Sequence, residues 1–195
     1  LLKPFKVLDD NLKDFFELGR ETSHSVGISG SNGNSHFRLG YTYLNNDGVV
    51  PLDGDKLVRN SLSFNGGTSF GKLTVNTGVI FSVKDLDAVA TGQGDDAGAG
   101  KVIWQEIIQV PRDHSIVDYA DYKNKFYNVD NFHTLYAQNP FFILNETGNN
   151  YNENKTIGNI GLEYELLKGL KAKWNVGGDF ANGSIFEYGN VSKIT

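Results

Sequence analysis

The sequence predicts an all-β protein built from antiparallel up-and-down hairpins. Three tight polar turns, at 31–34, 68–71 and 166–168, each join two runs in which apolar residues alternate with small or polar ones. Two much longer connections, at about 44–58 and 84–155, separate these hairpins, so short and long joins alternate along the chain. This order is typical of a transmembrane β-barrel, which has tight turns at one membrane surface and large loops at the other.

Each hairpin is predicted to have one apolar and one polar face, because successive side chains of a strand point to opposite sides of its sheet. In the two hairpins within 24–83, the apolar positions are Val26, Ile28, Phe37, Leu39, Tyr41, Tyr43, Leu62, Phe64, Leu73, Val75, Val79 and Phe81. In the hairpin within 157–182, they are Ile160, Leu162, Tyr164, Leu170, Ala172, Trp174, Val176 and Phe180. Gly, Ser, Asn and charged residues fill the intervening positions, with Ile80 as the exception, and this composition suits the polar interior of a barrel.

A soluble antiparallel sandwich shows the same period of two, so the alternation by itself does not separate the two architectures. Two features favour the barrel. The connections are long for a sandwich, and aromatic residues near the strand ends suit the girdles of a membrane barrel; these are Tyr43, Phe81, Tyr164 and Phe180. We therefore expect the apolar face to point outward to lipid, with Lys171, Lys173, Glu163 and Glu165 inside or at the rim.

The whole chain, 1–195, is predicted to form one partial β-barrel domain. Its parts are a loop with a short helix at 1–23, two hairpins at 24–83, a long extracellular loop at 84–156, a third hairpin at 157–182 and the start of a further loop at 183–195. Six strands are fewer than the roughly eight that close the smallest membrane barrels, and open sheet edges are not tolerated in lipid. With the tight turns placed in the periplasm, these features predict an internal section of a larger barrel.

The long loop is predicted to contain a short docked helix. At 101–110, Val102, Ile103, Ile107 and Val110 fall on one helical stripe, and Pro111 follows as a stop signal. The aromatic residues of this loop can stack on sugar rings, become buried against a partner or pack the loop upon itself, and a connection of this length favours packing for each of them. They are Trp104, Tyr119, Tyr122, Phe126, Tyr127, Phe132 and Tyr136.

Composition and motifs argue against several function classes. With 39% hydrophobic residues and no long apolar run, no transmembrane helix is predicted, and a net charge of −5 without a basic cluster argues against nucleic acid as a partner. Arg112, Asp113 and His114 lack a G-x-S-x-G serine or a cysteine that would use them in catalysis. The glycine run at 92–100 has no βαβ context for phosphate binding. We predict that the protein is not an enzyme.

No metal or cofactor site is predicted either. The four histidines, His24, His36, His114 and His133, are too dispersed for a zinc site, and the pair Asp95 and Asp96 lacks the spaced oxygen ligands of a calcium loop. Asp9 and Asp10 are expected to be solvated. We therefore predict no catalytic, cofactor-binding or metal-binding residues. The sequence does not show which residues bind a ligand.

Several segments resemble SusC/RagA-type TonB-dependent outer-membrane transporters, in the order in which that family has them. They are NLKDFFELG at 11–19, SVGISGSN at 25–32, YLNNDGVVP at 43–51, RNSLSFNG at 59–66, VPRD at 110–113, AQNPFF at 137–142, NE at 145–146, GLKAKW at 169–174 and GGDF at 177–180. The resemblance implies strands two to seven of a barrel of about 22 strands, without the plug and the TonB-binding segment that precede the barrel in this family.

The resemblance also implies a function for the complete protein. Such transporters import a bulky nutrient, a glycan or a peptide, across a Bacteroidetes-type bacterial outer membrane. The implied partners are a SusD-like surface lipoprotein over the extracellular face, TonB acting through the N-terminal parts, and the lipid of the outer membrane. The alternative is a soluble β-rich module that binds carbohydrate or acts as an adhesin.

Overall fold

The computed structural model describes residues 4–89, 102–124, 132 and 137–189. Its strands form one antiparallel up-and-down sheet in chain order, with β1 and β6 at the two edges, and the sheet is not closed. The strands are β1 (Arg20–Ser31), β2 (Ser35–Asp47), β3 (Leu57–Phe70), β4 (Leu73–Ala88), β5 (Thr147–Leu167) and β6 (Leu170–Gly189). Two helices, α1 (Ile103–Gln109) and α2 (Pro140–Glu146), precede β5, and 3-10 turns lie at Lys13–Phe15 and Ile116–Ala120. The prediction of an all-β protein with up-and-down hairpins is confirmed.

The tight turns lie at 32–34, 71–72 and 168–169. Each contains a glycine with positive φ, namely Gly33 at 63°, Gly71 at 60° and Gly169 at 87°, a conformation that is unstrained only without a Cβ atom. The second and third turns lie slightly later than predicted, because Phe70 and Leu167 still pair with the following strand.

The third hairpin is much longer than the predicted 157–182. It extends from Thr147 to Gly189, so the long connection spans 89–146 instead of 84–156, and 183–189 is strand instead of loop. Residues 149–154 are polar on both faces and show no alternation, yet their backbone pairs with β4 and β6 along their whole length. The first strand likewise begins at Arg20, within the segment predicted as loop.

The register aligns the predicted apolar positions of all three hairpins on one side of the sheet, which we call the apolar face. Tyr41 stands between Val26 of β1 and Leu62 of β3. Further pairs on this face are Leu62 with Phe81, Val75 with Leu162, Leu162 with Trp174 and Ile160 with Val176. The opposite side, the polar face, carries the intervening small and charged residues.

The hydrophobic core lies beside the sheet and not on it. Every buried hydrophobic residue of the described chain belongs to a unit that we call the cap, formed by 4–19, 48–56 and the described part of 102–146. The cap sits at the strand ends opposite the tight turns. Its core comprises Phe15, Val50, Ile103, Ile107, Val110, Ile116, Tyr119, Phe132, Ala137 and Phe141. Three segments that are distant in sequence thus share one small core.

Helix α1 confirms the short helix predicted in the long loop. Val102, Ile103, Ile107 and Val110 are all buried, so the predicted stripe is the docked side of the helix. Helix α2 begins at an N-cap, Asn139, whose side-chain oxygen accepts a hydrogen bond from the Phe141 amide at 2.9 Å, with Pro140 in the first turn. The Asn139 amide also donates to the Tyr119 carbonyl at 2.8 Å, which ties α2 to the preceding 3-10 turn.

A second buried amide joins the amino-terminal segment to the cap. Asn11 donates to the His114 carbonyl and accepts from the Ile116 amide, each at 2.8 Å, and Leu8 donates to the Arg112 carbonyl at 2.9 Å. Because buried amides are costly when unpaired, this two-way bond fixes how the two segments dock.

We expect the cap core to respond to truncation inside α1 much more strongly than outside it. Ile103 is fully buried, whereas Ile108 is 72% exposed on the same helix. Ile103→Ala should lower the free energy of unfolding by about 2–5 kcal/mol, and the matched control Ile108→Ala by less than about 0.5 kcal/mol. A urea titration followed by Trp104 fluorescence in a Trp174→Phe background reports on the cap. Equal losses for the two variants would contradict the assignment of the core.

The hydrogen bond from the Tyr122 hydroxyl to Glu146 Oε1, at 2.7 Å, links the cap to the residue before β5. Burial, this hydrogen bond and the carboxylate charge raise the pKa of Tyr122 to about 12. In the unfolded chain tyrosine ionises near pH ~10. The stabilisation from this group is therefore complete below about pH 10 and is lost as the pH rises through the folded pKa.

The difference in absorbance at the phenolate band between the wild type and Tyr122→Phe isolates this group. We expect its midpoint near pH ~12 in the folded protein and near pH ~10 in urea. Tyr122→Phe should also lower the free energy of unfolding at neutral pH by about 0.5–1.5 kcal/mol. A single midpoint near pH ~10 in both solvents would show that the hydrogen bond is not formed.

Candidate functional site

The residues that most resemble a catalytic set, Arg112 to His114, lie in the cap, and their main chain holds the amino-terminal segment. The main-chain oxygens of Arg112 and His114 accept hydrogen bonds from the amino-terminal segment. Alternation along β1 and β2 places His24 and His36 on opposite faces of the sheet. Within the described ranges, no group of three or more His, Asp or Glu side chains is arranged to hold a metal ion. His133, the pair Asp95 and Asp96 and the glycines at 92–100 lie outside the described residues.

The apolar face is uncovered. Val26 is 67% exposed, Trp174 55% and Phe180 71%, although all three stand in a continuous sheet. The described strands form one sheet, and none of them packs face to face on it as the second layer of a sandwich would. An apolar surface that extends over six strands is far larger than the single exposed residues of an ordinary soluble surface.

The apolar run of β6 extends from Leu170 to Phe180 on this face. Asn182 and Ser184 interrupt it, and the exposed rings of Phe186 and Tyr188 follow on the same side. Ten residues of strand span about 33 Å, and a strand that is tilted by about 40° from an axis advances about 25 Å along that axis over this length. On β5 the last apolar residue of this face is Ile160, and Gly158, Thr156 and Asn154 follow it in the direction of the cap. Separately, no helix among the residues described is both long and apolar enough to cross a membrane.

The polar face of β4, β5 and β6 carries charges that neutralise one another across the strands. Lys84 lies 3.4 Å from Glu153, and Lys155 lies 3.0 Å from Asp179. Near the tight turn, Glu163 bonds both Lys171, at 2.5 Å, and Lys173, at 2.9 Å. The sequence correctly placed these last three residues opposite the apolar face. Exposed ion pairs such as these add little to the stability of the fold, but together they leave little uncompensated charge.

A groove of about 650 Å³ lies on the polar face of the first four strands. The residues that line it from this face are Ser25, Gly27, Ser29, Arg38, Gly40, Thr42, Ser63, Asn65 and Ile80. Gly27 and Gly40 are register partners and contribute no side chain to the floor, although Ser63 Oγ lies over Gly40, 2.9 Å from where a Cβ atom would stand. We call this feature the Arg38 groove, because Arg38 is the charged residue among those lining it.

Hydroxyl groups surround that floor. Ser25 and Thr42 hydrogen-bond to each other at 3.0 Å, and Ser63 donates to the Gly40 carbonyl at 3.3 Å. In the register Arg38 stands between Ser29 of β1 and Asn65 of β3. Sequence reasoning did not find this groove, because opposed glycines and a flanked arginine become visible only when the strands are aligned.

Some of the described aromatic residues of the long connection are buried, and one is partly exposed. Tyr119 and Phe132 are buried and meet edge to face at 4.8 Å, and the ring of Tyr122 lies 6.0 Å from that of Phe142. These residues pack the cap, as the length of the connection suggested. Trp104 is 42% exposed. Phe126, Tyr127 and Tyr136 lie outside the described residues.

Trp104 belongs to an exposed apolar patch on the cap. Its ring stacks on Phe16 at 5.4 Å, and Ile108 lies one turn further along α1. The polar residue Glu106, in contrast, is fully buried and accepts a hydrogen bond from the Gln138 amide at 2.6 Å. Helix α1 therefore shows apolar residues to the outside while it buries a carboxylate, and the contribution of Phe16 was not predicted from sequence.

A scan against protein-family models and a search of curated proteins both found no match for this chain. What the protein does must therefore be inferred from its surfaces. Those surfaces are the apolar face, the polar face with the Arg38 groove, and the cap with its exposed Trp104.

Proposed function

We propose that this chain is a section of the wall of a SusC/RagA-type TonB-dependent transporter in a bacterial outer membrane. The observation that carries the proposal is the uncovered apolar face, to which all six strands contribute in register. The proposed role is binding and import of a bulky nutrient, a glycan or a peptide, and not catalysis. The family resemblance of the segments quoted above supports the choice of transporter class.

A lipid environment is the one most compatible with the apolar face. A face that exposes Trp174, Val176 and Phe180 in water would favour aggregation, whereas hydrocarbon solvates it without cost. The run from Leu170 to Phe180 on β6, at a tilt of about 40°, would cover a height of about 25 Å, which matches the apolar band of outer-membrane barrels. The polar residues that follow Phe180 then lie above the hydrocarbon, where β5 and β6 continue beyond the bilayer.

The edges of the sheet require further strands in this proposal. In the described sheet β1 and β6 each have one unpaired side, and unsatisfied backbone groups cost several kcal/mol each in hydrocarbon. A barrel of about 22 strands satisfies both edges with neighbours on either side. The wall formed here is then one part of a closed structure.

The cap occupies the extracellular side, because it stands at the strand ends opposite the tight turns. A SusD-like lipoprotein covers this side in the proposed transporter, and TonB acts through the N-terminal parts. The exposed patch of Phe16, Trp104 and Ile108 offers such a partner or a nutrient an apolar contact. Loops that are held by a rigid scaffold are the usual site of recognition.

A soluble carbohydrate-binding or adhesin module is the alternative, and the stacked pair of Phe16 and Trp104 is the feature that favours it. Cell fractionation separates the two functions. Peptides of this sequence in a much larger polypeptide of the outer-membrane fraction support the transporter. A species of 21.5 kDa in the soluble fraction would support the module and overturn the transporter.

Substitutions at two adjacent positions of β6 test the orientation of the wall. Val176 lies on the apolar face and Asn175 on the polar face. In the native polypeptide folded in phospholipid vesicles, Val176→Arg should lower the free energy of unfolding by about 2–4 kcal/mol, because the charge enters hydrocarbon. The matched control Asn175→Arg should change it by no more than about 0.5 kcal/mol. Urea titrations measure both values, and an unchanged Val176→Arg would refute the lipid-facing assignment.

A further inference from the structure

We propose that the Arg38 groove binds the carboxylate of an acidic saccharide. The proposal rests on the proposed function in one respect, which is that the polar face lines the import path of the transporter. It goes further by assigning a charge class to the cargo and by naming the residues that would recognise it.

Uncompensated positive charge on one half of the polar face is the first support. The polar face of β1, β2 and β3 has two guanidinium groups, Arg38 and Arg59, against one carboxylate, Glu21. Glu21 already accepts a hydrogen bond from Asn46 at 2.8 Å. Among the described residues, no carboxylate lies within ion-pair distance of either arginine. A bound anion would supply the missing charge.

The residues directly opposite Arg38 show that the excess of positive charge is located in the groove. A cross-strand carboxylate would be placed best at the positions directly opposite, and these hold the neutral residues Ser29 and Asn65. On β4, β5 and β6 the same face places Glu163 directly opposite Lys173 and Glu153 directly opposite Lys84. The guanidinium of Arg38 therefore keeps its planar fork available, and such a fork binds a carboxylate with two parallel hydrogen bonds.

The floor and rim of the groove favour a sugar ring as the body of the ligand. Gly27 leaves the main chain open to close approach by a flat ring, whereas Ser63 Oγ occupies the space beside Gly40. Hydroxyl groups of Ser25, Thr42 and Ser63 stand beside this floor and can exchange hydrogen bonds with sugar hydroxyls. Ile80 is the apolar member of the wall and can contact the C–H face of a ring. An acidic peptide would find no pocket here for its larger apolar side chains.

The test compares two trisaccharides that differ in charge. Trigalacturonate and its neutral counterpart galactotriose are titrated calorimetrically into the folded protein, in detergent if it occurs in membranes and in buffer if it is soluble. Wild type should bind trigalacturonate at least about tenfold more tightly than galactotriose. Arg38→Gln should abolish this preference, and Arg38→Lys should retain part of it because a lysine keeps the charge without the fork.

Arg59→Gln is the matched control, because Arg59 is an exposed arginine on the same face that does not line the groove. It should change the affinity for trigalacturonate by less than about twofold, since distant surface charges are screened. Equal binding of the two sugars by wild type, or unchanged binding by Arg38→Gln, would overturn the proposal. Tighter binding of an oligoglutamate than of trigalacturonate would overturn the saccharide class.

The two proposals fail in different ways. A protein that is soluble without detergent and ignores lipid vesicles refutes the membrane wall, and the groove is then titrated in buffer with the same variants. A protein that inserts into vesicles but does not distinguish the two sugars refutes the groove assignment and leaves the wall intact.

Discussion

The register between neighbouring strands is the constraint on which the rest of this structure depends. Side chains alternate with a period of two, so a slip by one residue at any interface would move that strand's apolar residues to the polar face. Polar contacts on the polar face mark the same alignment at several interfaces: Ser25 with Thr42, Ser63 with the Gly40 carbonyl, and Lys155 with Asp179. The apolar face, the ion pairs and the Arg38 groove all exist because this single register holds across the sheet.

The separation of the hydrophobic core from the sheet follows from the same arrangement. The apolar residues of the strands do not pack against the connecting segments. The apolar residues of these segments therefore pack against one another. Phe15, Val50 and Phe141 come from three segments and meet in the cap, where the rings of Phe15 and Phe141 lie 5.1 Å apart. Buried amides at Asn11 and Asn139 then fix the mutual position of the segments. The cap thus contains the buried hydrophobic cluster of the described chain, at the end of the sheet.

The hairpins and α1 could be predicted from the sequence, because both depend on the local periodicity of apolar residues. It was insufficient for the outer halves of β5 and β6, where the backbone ladder continues through polar residues such as Asn150 and Asn152 that give no alternation. It did not distinguish Trp104, which is open, from Tyr119, which is packed, since both are aromatic residues in one long connection. The Arg38 groove could not be predicted from the sequence for a different reason. Its floor is formed by glycines of two strands, and these are brought together only by the strand pairing.

The two halves of the polar face differ in a way that composition does not show. On β4, β5 and β6 each lysine lies beside a carboxylate, so the charges of that half are largely compensated. On β1, β2 and β3 the residues opposite Arg38 are neutral, although an acidic residue at Ser29 or Asn65 would have been a simple source of a cross-strand pair. An exposed guanidinium costs little in water, but it gains most from a planar anion that replaces its hydration with two directed hydrogen bonds. The polar face therefore has one half with paired charges and one half in which the positions opposite Arg38 carry no carboxylate.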